Sequence, residues 1–474
     1  MGQWSNILKN TVALALPSVL NPFVSLALVL LISRYMGVRG LGQYSLIFSY
    51  IGIFKTLASL GLGDLITREV AKKPEQVHDY FLNASAFGTV SGALALFSMD
   101  VIMVVMDYDR EVIAASFIFS FSLLFSTTIY YMDAIFRSFG KAEYIALTYT
   151  PENLVRVAVC VGLLLGGYGI VEIFSAILAT RIFAFFLMLV FYVRVFGRPR
   201  WRFDREIWTD MAKKAPAFAG IVLFSTIHLS IDQIMLSKLK SIESVGLYSA
   251  SGRLLEICNT IPVAFAGALL PFFTRAFVDG IDSLRKICMS AVRYSFLITF
   301  PAAIGTAVLA DQFIVLIYGH KFAESAGLLR LQIFSFIPFS MVFVLAQVLI
   351  ATDNQKVDLH INMVAAAVSF VLNFALIPVL GEYGAVAATF SSIMVFNQLQ
   401  YMYIKKRLFP VSIYSLGGKY AAASLGMGVV TYLLRDWNLF LNIVISAVAY
   451  AGLLFVMKAL SPEEIRLLRR IIGR

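Results

Sequence analysis

Residues 31–45 read LISRYMGVRGLGQYS, and residues 235–249 read MLSKLKSIESVGLYS. At a constant offset of 204, Ser33 falls on Ser237, Arg34 on Lys238, Gly42 on Gly246, Tyr44 on Tyr248 and Ser45 on Ser249. Two further landmarks recur in the same order. Gly167-Tyr168-Gly169-Ile170-Val171 returns as Glu382-Tyr383-Gly384-Ala385-Val386, and Lys141 returns as Lys356, both at an offset of 215. Short turns of small residues resemble one another by chance, but three landmarks in one consistent order point to a duplicated unit.

The composition says what kind of unit is duplicated. The chain has 474 residues, 59% hydrophobic and 14% charged, with a mean hydropathy of +0.82. That is more apolar surface than one soluble core can bury. Apolar runs long enough to cross about 30 Å of hydrocarbon as helix recur throughout. Fourteen are expected, near 10–33, 42–63, 80–106, 112–136, 145–166, 170–193, 214–237, 246–272, 287–310, 326–350, 359–379, 383–404, 412–434 and 438–458. The run QFIVLIY at 312–318 is too short to span and reads as a re-entrant or interfacial piece.

The expected fold is therefore all-α and polytopic. Residues 1–200 form an N-terminal six-helix bundle and 201–408 a C-terminal one, with 409–474 adding two helices and a tail. An even number of helices per copy gives both copies the same sense in the membrane, hence parallel repeats about an axis along the membrane normal. Pro17, Pro22, Pro216, Pro262, Pro301 and Pro338 lie inside or near the ends of spans, where a lost backbone hydrogen bond bends a helix.

Lysine and arginine set the orientation. With a cytoplasmic N-terminus, 25 loop and terminal cations fall inside and 7 outside, so both termini are expected in the cytoplasm. The net charge of +11 then reflects a face set against anionic lipid headgroups and calls for no nucleic acid. The start MGQWSNILKNT lacks a cleavable-signal pattern, and the first helix is expected to stay.

Other chemistry is sparse. Cys160, Cys258 and Cys288 form neither a disulfide framework nor a metal-ligand spacing. His78, His228, His320 and His360 are scattered, and no Walker-type loop is present. No cofactor, metal or ATP hydrolysis is expected. Ser461 and Glu464 cap a basic amphipathic segment, 461–472, expected to lie on the cytoplasmic lipid surface.

The passage Ile231-Asp232-Gln233-Ile234-Met235 followed by Val245-Gly246-Leu247-Tyr248-Ser249-Ala250 resembles polysaccharide biosynthesis flippases. So do Gly37, Gly40, Gly42, Gln43 and Tyr44, and the Tyr318-Gly319 element. The resemblance covers residues 1 to about 405. It is to O-antigen flippase-like members of the multidrug, oligosaccharidyl-lipid and polysaccharide exporter superfamily. It implies a flippase in the inner membrane moving a polyprenyl-diphosphate-linked oligosaccharide outward by alternating access, coupled to protons or sodium. Membrane lipids and the glycan polymerase or glycosyltransferases of the same pathway are the implied partners.

Charges within spans are the candidate site, each costing about 2.5–3.5 kcal/mol at a helix centre. Arg293, Arg330 and Lys419 lie close enough to span ends to reach the headgroups. Lys55, Arg156, Arg181 and Arg253 are expected to line a wet cavity that holds the substrate's diphosphate. Glu152 stands four residues before Arg156 and Glu256 three after Arg253, so each pair can meet on one helix face, and an intrahelical ion pair that only settles a buried charge is the alternative role for both arginines. Asp133, Asp232 and Glu256 are candidates for ion coupling, with static ion pairing as the alternative role.

Two other functions stay open. An exporter of cationic drugs would be expected to present acids to its cavity. A membrane glycan polymerase or glycosyltransferase would need a sizeable outside loop.

Overall fold

The first helix is too long for one crossing. In the computed structural model, which describes residues 2–199 and 203–459, α1 runs from Gly2 to Ser59 but breaks at Gly37, with φ 69° and ψ −161°. Only glycine adopts that conformation without strain, so the apolar run divides into two arms. Next come α2 (Leu62–Lys72), α3 (Val77–Val105), α4 (Arg110–Ser120), α5 (Ser122–Ser138), α6 (Ala142–Leu165) and α7 (Ile170–Phe196). Then follow α8 (Arg205–Leu239), α9 (Ile242–Asp279), α10 (Ile281–Val308), α11 (Ala310–Tyr318), α12 (Ser325–Gln332) and α13 (Phe336–Ala351). The last four are α14 (Gln355–Leu380), α15 (Glu382–Arg407), α16 (Ile413–Leu433) and α17 (Leu439–Val456).

Each of the fourteen expected intervals falls on helix, and the described residues contain no strand. Nine helices among them are long and apolar enough to cross a membrane by length and composition. Four intervals are interrupted, 42–63 near its end at Leu60–Gly61 between α1 and α2, 287–310 near its end at Leu309 between α10 and α11, and two others further inside. The 112–136 interval divides at Phe121 between α4 and α5, and 326–350 contains a 3-10 turn, Ile333–Ser335, between α12 and α13. The short run at 312–318 forms α11, nine residues long. At 1.5 Å per residue it is too short to cross. Pro262 and Pro301 sit inside continuous helices, α9 and α10. The amphipathic segment 461–472 and the side chains of Pro17, Pro22 and Pro216 lie outside the described residues.

Helix faces obey the rules of a lipid solvent. On α3, Val90, Leu94, Phe97, Val101 and Val104 are exposed, whereas Gly88, Gly92, Ala95 and Met99 are buried. Bulky apolar groups thus face outward and small ones face neighbouring helices, the reverse of a soluble helix.

The chain forms two compact units, 1–246 and 247–474. The first includes α8, which packs along α1. Its core gathers Leu65, Ile66, Tyr131, Phe136, Met188 and Tyr192. In the second, Phe273, Cys288, Phe296, Val344, Val348 and Ile404 form the core, with Tyr420, Met427 and Tyr450 bringing α16 and α17 onto it. A polar clasp joins those two helices. Thr431 Oγ1 donates to Ser446 Oγ, Ser446 Oγ to Asn442 Oδ1, and Asn442 Nδ2 to the Thr431 carbonyl, each at 2.9 Å.

The repeated motif finds its structural reason within the first unit. A methyl group at Gly42 would overlap the Ile242 carbonyl oxygen, and one at Gly246 would overlap the Val38 carbonyl oxygen. Val38 and Ile242 are related by the same offset of 204 as the two glycines. The contact is therefore reciprocal, as an isologous interface is. It brings the second arm of α1 and the start of α9 into backbone contact. Arg39 closes the same place, with Nη2 at 2.5 Å from Asp109 Oδ2 and Nη1 at 3.6 Å from Glu243 Oε1.

Candidate functional site

Three cations and two acids meet inside the first unit, brought by four helices. Lys55 comes from the second arm of α1, Asp133 from α5, Glu152 and Arg156 from α6, and Arg181 from α7. Residues 149, 152 and 156 share one face of α6.

Glu152 turns away from Arg156 and toward α7. Arg181 Nη2 lies 3.2 Å from Oε1 and Nη1 donates to Oε2 at 3.3 Å, a fork-on-fork pair whose side chains are 18% and 2% exposed. Glu152 therefore pairs across helices with Arg181 and not along α6 with Arg156, the partner its spacing allows; both carboxylate oxygens are engaged by the Arg181 fork.

The second acid is also engaged. The Tyr149 hydroxyl donates to Asp133 Oδ2 at 2.7 Å, and Asp133 Oδ1 is buried with no hydrogen-bond partner.

The remaining two cations lack a carboxylate. Arg156 Nη2 donates to Ser25 Oγ at 3.4 Å, while its Nε is buried with no partner. Lys55 makes no hydrogen bond or ion pair among the described residues, and its side chain is accessible. It interacts electrostatically with Arg181, Asp133 and Glu152. Glu152 in turn feels Arg181, Arg156 and Lys55. An anion entering beside Lys55 would meet an accessible ammonium and an arginine with unused donors, with both nearby acids already holding partners.

The other candidates have separate surroundings. On α9, Arg253 Nη1 lies 2.8 Å from Glu256 Oε2, the pairing the three-residue spacing predicts. Asp232, on α8, is buried and accepts from the Gln233 backbone N–H at 3.2 Å. Of the cations expected to reach headgroups, Arg330 pairs with Asp311, and Lys419 donates to the Lys458 carbonyl at 3.1 Å. Among the described residues no group of His, Cys, Asp or Glu could hold a metal ion. Sequence reasoning passed over Tyr149 and Ser25. The position of Tyr149 three residues before Glu152 was visible, but nothing local marks Ser25 as facing Arg156.

The described residues thus form a many-helix, multi-pass fold with a cluster of charges inside its first unit. The structure of a lipid II flippase, MurJ, in an inward closed conformation matches with a TM-score of 0.79 at 14% identity, covering 98% of this chain and 100% of that one. An inward-facing multidrug resistance MATE family transporter of the MOP superfamily matches at 0.68 and 13% identity, over 84% and 98%. A MOP superfamily transporter from Pyrococcus furiosus, described by the reversed polarity of its binding pocket, matches at 0.59 and 14% identity, over 84% and 96%. No curated protein sequence matches significantly. The profile of the family described as polysaccharide biosynthesis protein matches residues 7–277, and the chain belongs to that family.

Proposed function

We propose that the protein is a flippase that carries a polyprenyl-diphosphate-linked oligosaccharide from the cytoplasmic to the outer leaflet of the inner membrane by alternating access. Both termini are cytoplasmic, the two six-helix repeats form the moving bundles, and an ion gradient supplies the energy. The chain acts as a transporter, with the lipid-linked glycan as its substrate and the pathway's glycosyltransferases or polymerase as neighbours.

One observation carries this reading: Lys55 is accessible and, among the described residues, has no carboxylate partner, although Glu152 close by is held by Arg181. A static structural cation in hydrocarbon would be expected to have its charge settled by a neighbour. A cation kept unpaired suits an anionic headgroup, whose transfer through bare hydrocarbon would cost tens of kcal/mol. The reading is further supported by the family and by the flippase among its structural likenesses. Export of cationic compounds is less well served, since Glu152 and Asp133 already accept from Arg181 and Tyr149.

In this reading Lys55, Arg156 and Arg181 hold the diphosphate, and Arg253, on α9, remains the fourth candidate for an anionic group of the substrate. Asp133, Asp232 and Glu256 are the groups through which a proton or sodium ion would act. Lys55→Ala tests it. Glycan export by cells should be lost with membrane abundance unchanged, and full export would refute the assignment. Lys55 is the better probe than Arg181, whose removal leaves Glu152 buried without its partner.

A further inference from the structure

Glu152 occupies an unusual place for an acid in a site that would bind an anion. It is the carboxylate that Arg181 grips with two nitrogens, it is almost fully buried, and it lies within electrostatic reach of Arg156 and Lys55 as well. A static counter-ion for one arginine would not need to sit among three cations. Charge arithmetic suggests another use. Three uncompensated cations in a medium of low dielectric would hold a dianionic headgroup strongly, and binding that does not distinguish the states of the cycle slows release.

Resting on the flippase reading above, we propose that Glu152 is a positioning residue that competes with the substrate's diphosphate for Arg181. Unloaded, it holds Arg181 on α7 and leaves the accessible Lys55 for first contact, with Arg156, which has no carboxylate of its own, nearby. Loaded, the diphosphate takes part of Arg181's fork. On release Glu152 recovers the guanidinium, which lowers the cost of emptying the site because Arg181 is not left buried and unpaired. The acid thus gives up affinity for turnover.

The test uses the full chain in phosphatidylcholine nanodiscs, titrated with inorganic pyrophosphate, and in proteoliposomes flipping a fluorescent prenyl diphosphate. Glu152→Gln keeps an oxygen acceptor for Arg181 and removes the competing charge. Pyrophosphate should bind about tenfold tighter, and in the flipping assay KM and kcat should fall together. A merely structural acid would reduce folded protein without tightening binding, so unchanged or weaker binding by folded Glu152→Gln overturns the proposal. If the amide variant does not fold, Glu152→Asp decides: its shorter carboxylate retracts from Arg181, and tighter binding is again required. Lys55→Ala separates this inference from the reading beneath it. If it weakens pyrophosphate binding while Glu152→Gln fails to strengthen it, only the competition falls. If the unaltered protein binds no pyrophosphate, both fall.

Discussion

At the scale of single residues, Lys55 and Arg181 have the same sign and belong to the same cluster, yet their removal should have opposite structural consequences. Arg181→Ala strands a buried carboxylate and should cost about 3–5 kcal/mol in equilibrium unfolding in mixed micelles. Lys55→Ala removes an accessible cation that bonds to nothing described and should change stability by less than about 0.5 kcal/mol. Equal losses would show that Lys55 is a structural ion after all. The sequence identified both as charges in an expensive place but could not rank them. The i,i+4 rule favoured Glu152 with Arg156, whereas in the fold the carboxylate serves the fork on α7. Helical spacing lists the partners within reach along one helix and is silent about a better one across a groove.

At the scale of elements, the repeated glycines are packing devices as well as markers of duplication. Gly246→Ala or Gly42→Ala would push a methyl into a facing backbone carbonyl. Each should cost about 1–3 kcal/mol, seen as a lower Tm of the purified protein, with serine no better tolerated than alanine. An unchanged Tm would mean that the two helices separate freely there. The clasp between α16 and α17 makes a gentler prediction. Asn442→Leu removes two of its three hydrogen bonds and should destabilise by about 0.6–2 kcal/mol. Helices were legible as apolar runs, whereas their interruptions were legible only at Gly37. The breaks at Phe121 and at Ile333–Ser335 carry no glycine or proline within them. They arise where packing bends a run that hydropathy reads as continuous.

At the scale of the whole molecule, the cation asymmetry of the loops predicts sidedness. Lys356 and Asp436 are both exposed, the native Cys160 and Cys288 are buried, and the partly exposed Cys258 is replaced by serine in both variants. On intact cells, a membrane-impermeant maleimide should label Asp436→Cys and spare Lys356→Cys, and the reverse pattern would invert the orientation. Ion coupling belongs to this scale too, because it requires an acid whose occupancy differs between two states of the molecule. Flipping in proteoliposomes should accelerate when a proton or sodium gradient is imposed. Indifference to both would remove Asp133, Asp232 and Glu256 from that role.

From its sequence alone this protein was determined to be an all-helical, duplicated membrane chain with a short inventory of buried charges, because hydropathy, helical period and repeat offset are local or one-dimensional properties. Which charges meet across different helices was decided only by tertiary structure. Rotating a helix by one residue turns its side chains by about 100°, so the meeting of Glu152 with Arg181, and the placing of Lys55 near both without a bond to either, depend on how α1, α5, α6 and α7 pack along their whole lengths.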